Sequence, residues 1–258
     1  MNKKIIFHSK SFKNKKQYAP SASKNSIPEW FLSKDKYERE QDGSIKKTLY
    51  VGKDGVEKYA NELTWKSCPA VLDSFIYGYY LYTPCDIEFK KENENYLVIQ
   101  DENFMSGVNK KTFSFCGIRG LDKEFPNPSG YENIHFTWTT NWFPQTPEGY
   151  SVLLTHPINR FDLPFLTLSG IIDCSGYING GLLPFFIKKD FEGIIPAGTP
   201  YAQVIPLKNE HWQNENIFYN EEEMGGHRKQ MNSQYNIDHP DHTTNYKQIY
   251  WESKNFND

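Results

Sequence analysis

Residues Ile195 to Pro206 read Ile-Pro-Ala-Gly-Thr-Pro-Tyr-Ala-Gln-Val-Ile-Pro, and this stretch points most directly to the architecture. A turn rich in Pro and Gly comes first, and a short apolar run follows it. The same arrangement recurs from about residue 45 to residue 206, where Gly, Pro and Asn clusters separate short apolar or alternating runs. No segment there keeps apolar residues at helical spacing over three turns, so the sequence predicts a mostly β core at 45–206.

The composition is that of a folded chain with a substantial core. Of its 258 residues, 16% are aromatic, which argues against a largely disordered protein. The formal net charge of -3 argues against a globally basic nucleic-acid binder. Four cysteines without a CxxC pair fit reduced thiols. No apolar run is long enough to span a bilayer or to form a signal-peptide core, so we expect neither a membrane partner nor secretion by a signal peptide.

The first 44 residues are interpreted as a basic N-terminal arm with a linker. Residues 1–28 hold seven lysines and no acidic residue. Such an arm either stays solvated or docks on an acidic surface or a nucleic acid, and we expect nucleic-acid contact nowhere else in the chain. The apolar run Ile5-Ile6-Phe7 is a candidate strand that packs on the body of the protein.

The last 52 residues, 207–258, are expected to form an irregular polar and aromatic tail. Aromatic residues such as Trp251 and Phe256 are costly in solvent, which predicts that they pack on their own body or on a neighbouring subunit. Asp238-His239-Pro240-Asp241-His242 contains metal-ligating residue types, but the spacing matches no metal motif. We interpret it as an exposed turn and expect no metal site.

Two segments inside the core region carry further expectations. Alternation in the run 135–143 places Phe136 and Trp138 on one strand face, which predicts core packing, with a sugar-binding or subunit-contact platform as the alternative. The run from Val71 to Phe75 follows Cys68-Pro69 and fits either one helical turn or the start of a strand.

Three segments, in chain order, resemble the dUTPase and dCTP deaminase superfamily, whose subunits are small β-barrels of the β-clip kind. The likeness covers roughly residues 70–206. The segments are Gly78-Tyr79-Tyr80-Leu81-Tyr82-Thr83-Pro84-Cys85-Asp86-Ile87, Gly170-Ile171-Ile172-Asp173 with Tyr177, and the run 195–206 quoted above.

The resemblance implies a fold, an assembly and a site. It implies a dUTPase-like β-barrel or β-clip core and a homotrimer, because that family builds its sites between subunits. If the chain is an enzyme, it implies a nucleotide pyrophosphohydrolase in which Asp173 is the general base and Tyr177 stacks on the sugar. Arg160, His156 and Gln203 are then the candidate nucleotide-binding residues, and Mg²⁺ is expected only in that case. The alternative for Asp173 is a structural Asx turn.

Departures from the family pattern argue against the binding and hydrolysis of a nucleoside triphosphate. Tyr80 stands where the family has Asp, and residues 155–160 replace the Arg-Ser segment that grips phosphate. A triphosphate needs Arg, backbone N–H groups or Mg²⁺, and most of those donors are missing here.

A closer likeness links residues 68–212 to a family of uncharacterised proteins of tailed phages and bacteria, and it implies no reaction. We therefore expect a non-catalytic, phage-encoded structural or interaction subunit that self-associates or binds neighbouring virion proteins, in the virion or in the host cytoplasm. The alternative is a protein that binds, hydrolyses or sequesters nucleotides.

Overall fold

A computed structural model describes residues 3–9, 16–51, 55–93, 95–100, 114–120, 126–176, 181–226, 250–252 and 254–258. The described chain consists mostly of strands with few helices, which confirms the expected mostly β architecture. The strands are β1 (Ile6–Ser9), β2 (Ser21–Ala22), β3 (Lys47–Val51), β4 (Glu57–Asn61), β5 (Tyr79–Tyr82), β6 (Ile87–Glu92), β7 (Asn95–Gln100), β8 (Cys116–Gly120), β9 (Tyr131–Thr139), β10 (Trp142–Gln145), β11 (Tyr150–Thr155), β12 (Phe165–Thr167), β13 (Gly170–Asp173), β14 (Leu182–Lys188), β15 (Gly193–Ile195) and β16 (Pro200–Lys208).

The helices are short. The α-helices include α1 (Glu29–Leu32) and α2 (Pro69–Ile76), and single 3₁₀ turns cover Lys16–Tyr18, Ser23–Ser26 and Trp65–Ser67. Residues 221–226 are also helical. Helix α2 resolves the ambiguity of the Val71–Phe75 run in favour of a helix. Proline suits its first position because the N–H that proline lacks has no helical partner there. No helix in the described part of the chain is long and apolar enough to cross a membrane.

The chain divides into two compact units. The first unit contains residues 1–26, 75–210 and 256–258, and the second contains residues 27–74 and 211–255. The boundaries at residues 44 and 206 that the sequence suggested stay a prediction.

The first unit holds four of the sheets formed by the described strands. Their strand orders are β13-β11-β16-β5-β2, β12-β14-β9-β8, β15-β6-β7 and β1-β10. All the strand pairings in them are antiparallel. These sheets are open, and no closed barrel is found among the described strands. The antiparallel pairing of β1 with β10 confirms that the Ile5-Ile6-Phe7 run docks on the body as a strand.

Aromatic side chains fill the centre of the first unit. Phe136 and Trp138 are fully buried on β9, as the alternation predicted. The Trp138 ring stacks on Phe185 with 3.7 Å between centroids and 4° between planes. The Trp138 indole N–H donates to Thr167 Oγ1 at 3.0 Å, so its one polar group is satisfied inside the core.

The end of the chain packs on its own body, as the tail aromatics predicted. Phe256 makes edge contacts with Tyr77 at 4.7 Å and Tyr79 at 5.7 Å. The Asp258 carboxylate accepts the backbone N–H of Ala22 at 2.6 Å and the Asn25 amide at 2.7 Å. Residues 209–220, by contrast, have no regular secondary structure, in keeping with an irregular tail.

The second unit contains the hairpin β3–β4, helix α1 and most of α2. In the hairpin, Leu49 lies opposite Tyr59 and Thr48 lies opposite Ala60. Ala60 is buried, whereas Leu49 and Tyr59 on the other face are exposed. This hairpin therefore buries only one face within its own chain.

A charged cluster connects separate strands of the first unit. Glu132 Oε1 accepts the Tyr96 hydroxyl at 2.9 Å, the Asp190 backbone N–H at 2.9 Å and Lys91 Nζ at 3.3 Å. Lys91 also pairs with the Asp190 carboxylate at 2.7 Å. Burial raises the pKa of Glu132, but these three donors outweigh it and hold that pKa below its ordinary value.

Replacing Gly78 by Ala should strongly destabilise the protein. Gly78 has a φ of +79°, and a Cβ there would overlap the backbone oxygen of Val204. We expect the free energy of unfolding to fall by about 3 kcal/mol or more, measured by denaturant titration. Gly149→Ala is the matched control, since Gly149 has the same φ but no atom within 4 Å of the added Cβ. It should cost only about 1–2 kcal/mol, and equal losses in the two variants would contradict the close-approach argument.

Glu132→Gln should make stability less dependent on acid. Because the folded pKa of Glu132 lies below its unfolded value, its stabilisation is present above the ordinary value of 4.5 and is lost as the pH falls through the folded pKa. The variant should lose about 1–3 kcal/mol at neutral pH and show a flatter acid limb in unfolding titrations. Glu148→Gln changes an exposed glutamate and serves as control. An unchanged acid limb in the Glu132 variant would contradict this role.

Candidate functional site

Three of the sequence-predicted site residues lie at one end of β11. His156 and Arg160 belong to the loop that leaves β11, and Gln203 on β16 pairs in register with Thr155. The antiparallel pairing of β11 with β16 thus brings the two segments together. The structure places these three residues near one another, and their role in nucleotide binding stays a prediction.

Gln203 holds the loop to the rest of the sheet. Its side chain is fully buried, its Oε1 accepts the Ile158 backbone N–H at 2.9 Å, and its Nε2 donates to the Tyr77 carbonyl at 2.6 Å. A buried amide with these partners satisfies backbone groups that neither sheet nor helix pairs. The observed role of Gln203 is to fix the loop and the turn before β5.

Both ring nitrogens of His156 bond to backbone groups. Nδ1 accepts the Thr167 N–H at 3.4 Å, so the proton resides on Nε2, which donates to the Arg160 carbonyl at 3.2 Å. Burial is the largest influence on the ring and lowers its pKa to about 4. At neutral pH the imidazole is therefore uncharged and offers no positive charge to a phosphate.

Arg160 forms a two-pronged ion pair with Asp162. Its Nε lies 3.0 Å from Asp162 Oδ1, and Nη2 lies 2.9 Å from Oδ2. Only 11% of the Arg160 side chain is exposed, compared with 37% for Asp162. This planar geometry satisfies one carboxylate along the edge of the guanidinium. An anion that bound Arg160 would have to compete with Asp162.

Tyr80 lies in the core beside this loop. It is fully buried, and its hydroxyl lies 3.5 Å from the Phe75 carbonyl. Burial raises the pKa of the phenol, although the nearby Arg160 charge opposes that shift. The hydroxyl therefore stays protonated, so an apolar ring occupies the position where the resembled family carries an Asp.

Asp173 lies at the opposite end of β11. It pairs in register with Ser151 and accepts that hydroxyl at 2.5 Å. Ser151 Oγ also lies 2.7 Å from Asn209 Oδ1. His156 lies five positions after Ser151, a rise of about 17 Å for extended backbone. The structure therefore does not bring Asp173 together with His156 and Arg160. The contact of its carboxylate is made to Ser151 across the sheet, and its role, catalytic or structural, stays a prediction.

Two other sequence predictions lie outside the described residues. One concerns Tyr177, the expected sugar-stacking residue. The other concerns the segment Asp238–His242. Among the residues that the structure does describe, no group of three or more His, Cys, Asp or Glu side chains is placed to hold a metal ion.

Sequence reasoning missed the partners that define these side chains. Asp162 stands two residues after Arg160, and its opposite charge was a readable signal for a local ion pair. Ser151 gave no such signal, because only strand register places it beside Asp173. The exposed aromatic residues at 211–220 did have a sequence signal, because Trp212, Phe218 and Tyr219 stand in a mostly polar run.

Comparisons with known proteins gave limited similarity. No protein-family model matches the chain, and no curated protein matches it. Among solved structures, the dUTPase from phage phi11 of S. aureus is similar at 16% identity, covering 42% of this chain and 99% of that one, with a TM-score of 0.24. A point mutant of that dUTPase, described for its coordination of a structural Mg(II) ion, is similar at 14% identity with the same coverage and TM-score. At this TM-score the likeness supports no conclusion about fold or function.

His156 should make the protein less stable in mild acid. Because its folded pKa of about 4 lies below the ordinary 6.5, its stabilisation is complete above 6.5 and declines as the pH falls towards 4. The loss should approach about 2–3 kcal/mol, and His156→Gln should flatten that part of the unfolding profile. The exposed His211, changed to Gln, is the control. An NMR titration midpoint for His156 near 6.5 would contradict the buried neutral ring.

Proposed function

We propose that this chain is a non-catalytic structural or interaction subunit that associates with copies of itself. The proposal rests on the second unit, in which many more large hydrophobic side chains are exposed than buried among the described residues. Among its described residues, the buried hydrophobic side chains are Phe31 and Ala60. Its exposed large hydrophobic residues are Trp30, Leu32, Leu49, Val51, Val56, Tyr59, Trp65, Trp212, Ile217, Phe218, Tyr219 and Tyr250.

Exposed apolar surface of this extent is characteristic of a binding surface. Burial of apolar area contributes roughly 25 cal/mol per Å², so covering exposed apolar surface of this kind would add stability. Single exposed apolar residues are ordinary, but concentrated ones mark interaction sites. A partner that covers the second unit would supply the burial that its own described residues do not.

The chemistry of the candidate site supports the non-catalytic part of the proposal. His156 is neutral with both nitrogens bonded, and Arg160 is paired with Asp162. Gln203 bonds to two backbone groups. These are the residues that a triphosphate would need, and each already has a partner in its own chain.

The alternative function is nucleotide binding or hydrolysis at a site shared between copies. Asp173 pairs with Ser151 near the start of β11, and Arg160 lies in the loop beyond its end, so such a site would require Arg160 from one copy and Asp173 from another. Self-association is common to both proposals, and catalysis separates them. Mg²⁺ would be required only in this alternative.

We further propose a dUTPase-like core, a homotrimeric assembly and a phage setting, within the virion or the host cytoplasm. The core and the trimer rest on the three motif segments at 78–87, 170–173 and 195–206. The setting rests on composition, because the enrichment in Lys, Asn, Tyr and Ile is typical of AT-rich genomes such as those of many phages. Neighbouring virion proteins are then the expected partners besides the chain itself.

The test combines turnover, ligand binding and mass. The purified protein is incubated with Mg²⁺ and a panel of deoxynucleoside triphosphates and cyclic nucleotides, products are resolved by chromatography, and the oligomer mass is measured by light scattering. We expect no product, no ligand-induced rise in melting temperature and a mass above that of one chain. Hydrolysis that Asp173→Asn abolishes would replace this proposal with the enzyme. A melting shift without product would indicate sequestration, and a monomer at all concentrations would refute self-association.

A further inference from the structure

One segment of the second unit is exposed along its whole length. We define the acidic aromatic segment as residues 211–223, every one of which is exposed. The exposed fraction is 84% for Trp212 and 92% for Phe218. Residues 211–220 have no regular secondary structure, so their backbone is not part of a sheet or helix in the protomer. Aromatic side chains at this level of exposure make almost no packing contact of their own.

The charged side chains of this segment at neutral pH are all acidic. It contains Glu215 and the run Glu221-Glu222-Glu223, and the sequence has no Lys or Arg from residue 209 to residue 226. The opposite extreme in the same chain is residues 1–28, with seven lysines and no acidic residue. Segments of opposite charge attract each other and select their partner, mostly through the association rate. The chain therefore contains both halves of a complementary pair.

The N-terminal strand offers an edge on which an extended segment can pair. Among the described strands, β1 has one neighbour, β10, and the two form a sheet of their own. A two-stranded sheet is marginally stable in water and gains from a third strand. Ile6 on β1 is 43% exposed, and Lys3 and Lys4, which precede the strand, are also exposed. This edge thus combines an apolar contact with positive charge.

We propose that the irregular part of the acidic aromatic segment, residues 211–220, of one copy adds as a strand to the edge of β1 in a second copy, a step that rests on the self-association proposed above. Glu221, Glu222 and Glu223 belong to the helical residues 221–226 that follow. Ile217, Phe218 and Tyr219 supply the strand, since apolar and aromatic residues favour extended pairing. The three consecutive glutamates then meet the lysines that flank β1. Main-chain hydrogen bonds provide affinity in this mode, and side-chain pockets and charge provide register.

The occupant is a second copy because the chain carries both halves of a complementary pair, the glutamates of the acidic aromatic segment and the lysines that precede β1. Phe218 is 92% exposed and Ile6 is 43% exposed among the described residues, so each offers apolar surface to a partner. A contact in which each copy donates one segment and accepts another is heterologous, and it forms a closed ring when the rotation between copies permits. A small ring such as a trimer follows from this contact without any further interface.

Charge reversal with complementation tests the assignment in the full-length chain. The acidic variant carries Glu215→Lys, Glu221→Lys and Glu222→Lys, and it spares Glu223 because that carboxylate accepts the Asn220 N–H within the protomer. The basic variant carries Lys3→Glu and Lys4→Glu. Each alone should weaken self-association by about tenfold or more in sedimentation or light-scattering measurements, and an equimolar mixture should recover part of that loss. Glu92→Lys, Glu148→Lys and Glu192→Lys together change the net charge as much as the acidic variant does, at exposed positions of the first unit, and should leave association unchanged.

An aromatic truncation tests the apolar part independently. Phe218→Ser should weaken association by about tenfold or more, as expected for an interface anchor. Its melting temperature at concentrations where the wild type is monomeric should be unchanged, because Phe218 is 92% exposed among the described residues. Phe161→Ser is the matched control, since Phe161 is 72% exposed in the first unit.

The outcomes separate this inference from the proposal beneath it. A wild-type chain that stays monomeric at every concentration overturns both. An oligomer that survives the acidic, basic and Phe218 variants unchanged overturns only the segment exchange and leaves self-association intact. Equal weakening by the control variants would also overturn it, because the effect would then come from net charge or general hydrophobicity. Weakening of the three test variants with recovery in the mixture supports the exchange.

Discussion

Strand β16 is the element on which the arrangement of the first unit depends. It lies between β11 and β5, and each residue from Pro200 to Ile205 is buried. A strand buried on both faces leaves no space around its backbone, which is why Gly78 must lack a side chain beside the Val204 oxygen. It also places a polar residue, Gln203, where each of its amide groups must find a partner. The loop after β11 and the turn before β5 are positioned by that requirement.

The same constraint changes the chemistry of residues that look like phosphate ligands. A histidine and an arginine near a glutamine would form an anion site if they were open to solvent. Burial keeps the His156 ring neutral, and the Arg160 guanidinium, which cannot lose its charge, is compensated by Asp162. Inside this protein, these side chains make contacts that hold the loop, and their role towards a ligand stays a prediction. The sheet register likewise separates Asp173 from them by the length of β11.

The two units differ in how completely they satisfy their apolar residues. The first unit encloses an aromatic core in which Trp138 stacks on Phe185 and even the indole N–H has a partner. The second unit leaves large apolar side chains exposed. They include Leu49 and Tyr59 on the hairpin and Trp212 and Phe218 in the acidic aromatic segment. Among the described residues, the large buried side chains of the core therefore belong to the first unit.

The sequence by itself determined the mostly β architecture, the N-terminal strand at Ile5–Phe7 and the burial of Phe136 and Trp138. These follow from local patterns, since strand periodicity and turn residues act over a few positions. It also brought His156, Arg160 and Gln203 forward as candidate nucleotide-binding residues, a role that stays a prediction. Only the tertiary structure decided that Asp173 is paired with Ser151, that His156 is neutral and that α2 is a helix. Those outcomes depend on strand register, burial and contacts between distant residues, and no local pattern in a single chain encodes them.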